Sequence, residues 1–238
     1  MLNAVSIMRK LVLLGAMLGM ASLCWAGSDR RAAVDRLNNS ATVLDEIMAA
    51  PDRRIPDEIM KKAKCVAVVP HLIKGGFVFG AEHGKGVATC RTADGWSAPA
   101  FIRIAGGSWG TQIGAEAVDL VMVIKSEKGM QKLLSSKFEI GRDASVAVGP
   151  VGRHSSENTD VKLDVLVLTY SRAKGAFVGF TFKGALVRAD NRSRRAMYGP
   201  KVTTRATLLG RVAAPAAAGP FLDAVRGAKA QAIAQAKK

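Results

Sequence analysis

The stretch Cys65-Val66-Ala67-Val68-Val69-Pro70 is short, apolar and rich in β-branched residues, and it opens a series of similar runs. Gly76 to Ala81, Gly86 to Arg91 and Ala98 to Ile104 repeat its character, separated by Gly, Pro and Asp-Gly punctuation. Such runs suit a pleated surface better than a helix, and Asp94-Gly95 is the strongest hairpin turn among them. The stretch from Cys65 onward therefore reads as a series of strands.

Working outward toward the carboxyl end, Gln112 to Ile124 closes in the run Leu120-Val121-Met122-Val123-Ile124, which reads as a buried strand. Ser126 then caps a short helix through Leu134. Ala144 to Val148, Leu163 to Tyr170, Ala176 to Phe182 and Ala185 to Val187 continue the strands, with a Lys174-Gly175 turn, and Thr203 to Leu209 reads as a last short helix. Toward the amino end, Val34, Leu37, Ala41, Leu44 and Met48 recur at steps of three and four and predict an amphipathic helix stopped by Pro51. Arg30, Arg31 and Arg36 on it are balanced by Asp35, Asp45 and Glu46, so insertion into a membrane interface and packing on a core both stand. Ile55-Pro56-Asp57-Glu58 opens a second short helix, with proline in the first turn and acids at the positive end of the dipole. The expected fold is α+β: a single domain with a curved antiparallel sheet and flanking short helices.

The two ends read differently. Arg9 and Lys10 precede an apolar run from Leu11 to Leu23 that ends at Cys24-Trp25-Ala26, the pattern of a secretory signal peptide over residues 1–26. The expected layout is then an amphipathic helix over 27–50, a domain over 51–211 and an Ala-rich basic tail over 212–238. Export implies a periplasmic or secreted location. Without Cys24, residues Cys65 and Cys90 remain as an even pair in a compartment that permits oxidation; a disulfide and two buried thiols are the alternatives.

Charge sharpens the search for a partner. The chain carries +16, and removing Arg9 and Lys10 with the signal leaves +14. The segment from Lys183 to Lys238 holds twelve cations against Asp190 and Asp223, so most of the excess lies in the last quarter. Such a field favours polyanions. Export speaks for lipid over nucleic acid, as does a 5% aromatic content that offers little for base stacking.

Motifs for catalysis and cofactors are weak. Gly106-Gly107-Ser108-Trp109-Gly110 fits the Gly-x-Ser-x-Gly nucleophile pattern, with Asp119 or Asp143 and then His154 downstream. That chemistry needs a strand before Ser108 and a helix directly after it, whereas a β-branched run follows. A glycine-rich bend between strands is the expected structure. Gly80-Ala81-Glu82-His83-Gly84-Lys85-Gly86 has the flavour of a phosphate loop but is one residue short and offers Gly86 where a hydroxyl belongs, so a tight hairpin with a solvated Lys85 is expected. His71, His83 and His154 are scattered, and no metal, cofactor or catalytic set is assigned.

Several pieces recur together in register: Lys74-Gly75-Gly76-Phe77, Gly84-Lys85-Gly86, Gly95-Trp96-Ser97-Ala98-Pro99, Gln112-Ile113-Gly114-Ala115-Glu116, Gly149-Pro150-Val151-Gly152-Arg153 and Tyr198-Gly199. In order and spacing they resemble the SYLF family of lipid-binding domains, over roughly Val34 to Gly210. The resemblance implies binding of phosphoinositides and other anionic lipids, in eukaryotic members beside protein-interaction modules and sometimes with actin binding. Together with export it implies anionic phospholipid or lipopolysaccharide as partner, peripheral association with a membrane, and argues against actin. Arg192, Arg194, Arg195, Lys201 and Arg205, with Tyr198 among them, form the candidate headgroup surface, since arginine forks suit phosphate; a merely solvated basic turn is the alternative.

Overall fold

The computed structural model describes residues 27–50, 54–76, 79–109, 114–135, 137–139, 146–149, 167–173, 176–177 and 185–235. The expected signal peptide, Asp143 and His154 lie outside them. Helix α1 (residues 27–49) and α2 (Asp57–Lys62) lead into β1 (Cys65–Gly76), β2 (Phe79–Thr92), β3 (Gly95–Trp96), β4 (Ala100–Trp109) and β5 (Gly114–Ile124). Then come α3 (Glu127–Leu134), β6 (Lys137–Glu139), β7 (Val146–Val148), β8 (Val167–Ala173), β9 (Ala176–Phe177) and β10 (Leu186–Ala189). The chain ends in α4 (Asn191–Tyr198), α5 (Thr204–Leu208), a 3₁₀ turn (Ala216–Ala218) and α6 (Gly219–Gln235).

One sheet organises the molecule, in the order β6-β10-β4-β2-β1-β5-β8-β7, with β3 beside β2 and β9 beside β8. Pairing is antiparallel except between β7 and β8. This is the single-domain α+β fold expected from the alternation of the sequence.

Both faces of the sheet are buried, and the strands divide their side chains accordingly. Along β1, Val66 and Val68 join one core while Cys65, Ala67 and Val69 join the other, as a two-residue period demands. The first core is covered by α1 (Leu37, Leu44, Ile47), α2 (Met60), α4 (Met197) and α6 (Phe221, Val225). The second is covered by α3 (Leu133, Leu134) and α5 (Leu208). Helix α1 thus packs: Leu37, Ala41, Leu44 and Met48 are buried and Val34 lies against the core. Among the described residues no helix is long and apolar enough to cross a membrane.

The strands are longer than the punctuation suggests. Gly84 and Gly86 sit inside β2, where a Cβ at Gly86 would meet the Val68 carbonyl oxygen at 2.2 Å and one at Gly84 would meet Leu72 Cδ1 at 2.5 Å. These glycines allow close approach of neighbouring strands and do not mark a turn. Residues Gly80 to Gly86 are accordingly strand, with Lys85 exposed, and not the expected hairpin. The Asp94-Gly95 turn is shifted by one residue: Ala93 and Asp94 make the turn, and Gly95 opens β3 at φ +119°. Register slips in β1 between Val69 and Leu72 against β5, around Pro70, which has no N–H for the ladder. There His71 takes φ +50°, and its amide donates to Asp119 Oδ1 at 3.0 Å.

Two further features bear on the layout. Cys65 and Cys90 face each other in the β1–β2 register and are joined by a disulfide, buried in the second core. Residues expected as tail are built into the domain: Ala218, Phe221, Leu222, Ala224 and Val225 are all buried in the first core.

Candidate functional site

The basic turn singled out from sequence begins where β10 runs into α4. Asp190 caps α4, accepting from the Ser193 amide at 3.3 Å and from the Ser193 hydroxyl at 2.7 Å. Arg36 of α1 donates to Asp190 Oδ2 at 2.9 Å and to Ser193 Oγ at 3.1 Å, with its guanidinium 5.7 Å from the centre of the Phe101 ring. Burial pushes the Asp190 carboxyl up, but the hydrogen bonds from Ser193 and the charge and bond of Arg36 outweigh it and hold the group below the usual carboxylate range. Arg30 Nη1 donates to the Ala196 and Met197 carbonyls at 3.4 and 3.5 Å, satisfying the last turn of α4. Gly199 then ends the helix at φ +86°, and Thr203 caps α5 by accepting from the Ala206 amide at 3.1 Å.

This frame spreads the six candidate residues over different surfaces. Arg192 is exposed and pairs with Asp29 at 2.7 Å. Arg195, Lys201 and Arg205 are exposed. Tyr198 turns inward: its hydroxyl donates to the Pro99 carbonyl at 2.6 Å, its ring lies 6.2 Å from that of Phe101, and burial pushes its phenol up. Arg194 lines a cleft, and donates to Asn191 Oδ1 at 3.3 Å and to the Pro200 carbonyl at 3.5 Å.

That cleft is open, about 340 Å³ in volume, and lined by Arg103, Arg188, Asn191, Arg194, Thr203 and Thr204. Three arginines and two threonines line it, residue types rich in donors and suited to oxyanions. Sequence reasoning missed Arg103 and Arg188, which lie far apart in the chain. The β10–β4 register, which sets them directly opposite each other, is the only thing that joins them.

Of the nucleophile pattern, Ser108 and Asp119 are among the described residues, and neither is placed for that chemistry. Ser108 lies in β4 opposite Gly80 of β2, within a run of ladder pairs, and not on a strand-to-helix elbow or the expected bend. Asp119 is engaged elsewhere, accepting from His71 and from Arg172 at 3.4 Å, while Arg172 also bonds Glu46 of α1. Among the described residues no three His, Cys, Asp or Glu side chains are grouped to hold a metal ion.

Fold and cleft define the class: a single-domain α+β protein built on one doubly covered sheet, with an arginine-lined cleft where β10 and β4 meet α4 and α5. The chain belongs to the Ysc84 (SYLF) family, whose model, described as Las17-binding protein actin regulator, matches residues 105–228. It is 34% identical over 175 residues to Protein YSC84 of Saccharomyces cerevisiae, covering 72% of this chain and 37% of that one. It is 34% identical over 170 residues to SH3 domain-containing YSC84-like protein 1 of Rattus norvegicus (71% and 50%), and 31% identical over 174 residues to LAS seventeen-binding protein 3 of S. cerevisiae (71% and 38%). The chain thus spans half or less of the length of these relatives.

These names correct the expected partners. The expectation of anionic lipid as the ligand, with actin set aside because of export, is contradicted: the relatives are named for binding Las17 and for an SH3 domain, and the family for actin regulation. The physical reason for the miss is that net charge reports the sign of a partner and not its class, and the class was supplied by the expected export and by the family resemblance.

Proposed function

We propose that this chain is a non-catalytic binding module that acts by docking a protein partner of the actin-regulatory kind for which its relatives are named. Family membership over residues 105–228 carries the reading, and the arginine-lined cleft supplies a surface for a carboxylate-bearing partner. Residues 1–26 serve as an export signal in this reading, supported by the Arg9-Lys10 start and the Leu11 to Leu23 run; N-terminal sequencing of the secreted or periplasmic chain should begin at Gly27.

The test is co-sedimentation of the purified chain with preformed actin filaments and, in parallel, with anionic vesicles, each at low and moderate salt. The chain is expected in the filament pellet, with less at the higher salt. Recovery only with vesicles would mark the lipid-binding reading as the right one and end this proposal, and recovery in neither pellet would end it too.

A further inference from the structure

The β-ladder lines up cations that the sequence scatters. Arg188 of β10 lies opposite Arg103 of β4, and Arg103 lies opposite Lys85 of β2. Three adjacent strands therefore place three cations in one cross-strand row. The side-chain period sets Arg103, Lys85 and Arg188 on one face. Phe101 and Val87, each two residues away from a member of the row, belong to the first core, whereas Val187, beside Arg188, belongs to the second. The row lies on the face covered elsewhere by α1, α4 and α6, but Arg103 and Lys85 are exposed.

Like charges directly opposite one another destabilise a sheet, whereas opposite charges across strands stabilise it. Here, Arg103, Arg188 and Lys85 make no ion pair with any described residue, and Arg188 Nε is buried without a hydrogen-bond partner. Arg188 and Arg103 also line the cleft beside Arg194. An array that holds three cations together against their repulsion is poised for an anion that brings several charges at once.

Resting on the proposed protein-binding role, we infer that this row is the contact surface, and that it takes an extended acidic segment of the partner lying across the strands. Three strands at their usual spacing put the outer cations roughly 10 Å apart. An extended chain carries same-face side chains about 6.7 Å apart, so two to three successive same-face carboxylates cover that span. A single phosphate fills only the cleft end of such a row. Matching along its length is what an acidic peptide offers and a lone anion does not.

The probe is a fluorescein-labelled twelve-residue peptide alternating Glu and Ser, titrated with the full chain and followed by anisotropy. Lys85→Gln/Arg103→Gln/Arg188→Gln should bind it about tenfold or more weakly. A control of equal charge change far from the row, Lys62→Gln/Lys64→Gln/Lys128→Gln, should bind within about twofold of the wild type. Single Arg103→Gln should keep or raise the melting temperature at low salt, because it relieves repulsion; a fall would show Arg103 to be structural and overturn the assignment. Equal weakening of row and control variants would reduce the effect to net charge and overturn it, as would failure of the wild type to bind the peptide. Displacement of the peptide by millimolar inorganic phosphate as effectively as by unlabelled peptide would assign the cleft to a single anion instead. Filament binding that survives in the row variant would overturn this surface and leave the protein-binding role standing, whereas absence of filament binding in the wild type is the failure of that role itself.

Discussion

Asp190→Ala is the substitution whose cost the structure specifies best. Asp190 is buried, pairs with Arg36 at 2.9 Å, and the two side chains are 7% and 10% exposed. Truncation leaves the Arg36 guanidinium largely dry with Ser193 as its remaining bonded partner, and removing one member of a buried ion pair costs about 3–5 kcal/mol. It also removes the α4 cap, worth about 1 kcal/mol. The pair is not wholly dry, so we take the lower end and expect a total of about 3–4 kcal/mol. For a domain of this size, that is a fall in melting temperature of about 10 °C. Urea denaturation of Asp190→Ala, Arg36→Met and the double variant measures it. The double variant should be less destabilised than the sum of the singles, because it leaves no orphaned charge. A loss under about 1 kcal/mol for Asp190→Ala, or strict additivity, would refute the view that this pair ties α1 to the α4 end of the sheet. Asp190→Asn, which keeps an oxygen for the cap but not the charge, should fall between the wild type and the alanine variant.

The remaining expectations follow from the same packing. Because the folded Asp190 carboxyl lies below its usual range, its contribution is full above the unfolded value of about 3.9 and is lost as pH falls below it toward the folded value. The gap in urea midpoint between wild type and Asp190→Asn should therefore narrow between pH 5 and pH 3. Phe221→Ala, at a fully buried ring of α6, should cost about 3–5 kcal/mol by calorimetry, whereas a loose tail would register almost nothing. Gly86→Ala forces a Cβ onto the Val68 carbonyl and should cost about 2–3 kcal/mol or abolish soluble expression. Cys65→Ala/Cys90→Ala, which opens a bridge of sequence separation 25, should lower stability by about 3 kcal/mol in the same denaturation assay.

What the sequence made legible was local. Ser126 and Thr203 cap the helices expected of them, and the three- and four-residue steps of α1 mark the face it buries. What it hid depends on which strand lies beside which. Glycines that read as turn punctuation are spacers inside β2, because their meaning is set by Val68 and Leu72 on the neighbouring strand. The last segment read as a tail outside the domain because alanine dominates it, yet Phe221, Leu222 and Val225 suffice to dock its first turns. Arg192, Arg194 and Arg195 were conspicuous as a cluster in sequence, but the helical turn sends only Arg194 to the cleft, and its companions Arg103 and Arg188 are found through strand register alone.

The division of the sheet explains how one face can serve both stability and the binding proposed for it. Phe101 is where the first core meets the cleft, with Arg36 and Tyr198 against its ring and Asp190 bonded to its carbonyl through the backbone. Two residues further along β4 stands Arg103, exposed and unpaired among the described residues. The same strand therefore holds the helices at Phe101 and presents charge at Arg103, so that the cationic row is carried on a backbone fixed by β2 on one side and β10 on the other. Repulsion within the row is borne by a sheet buried on both faces, which holds the cations in register where a loop would let them move apart.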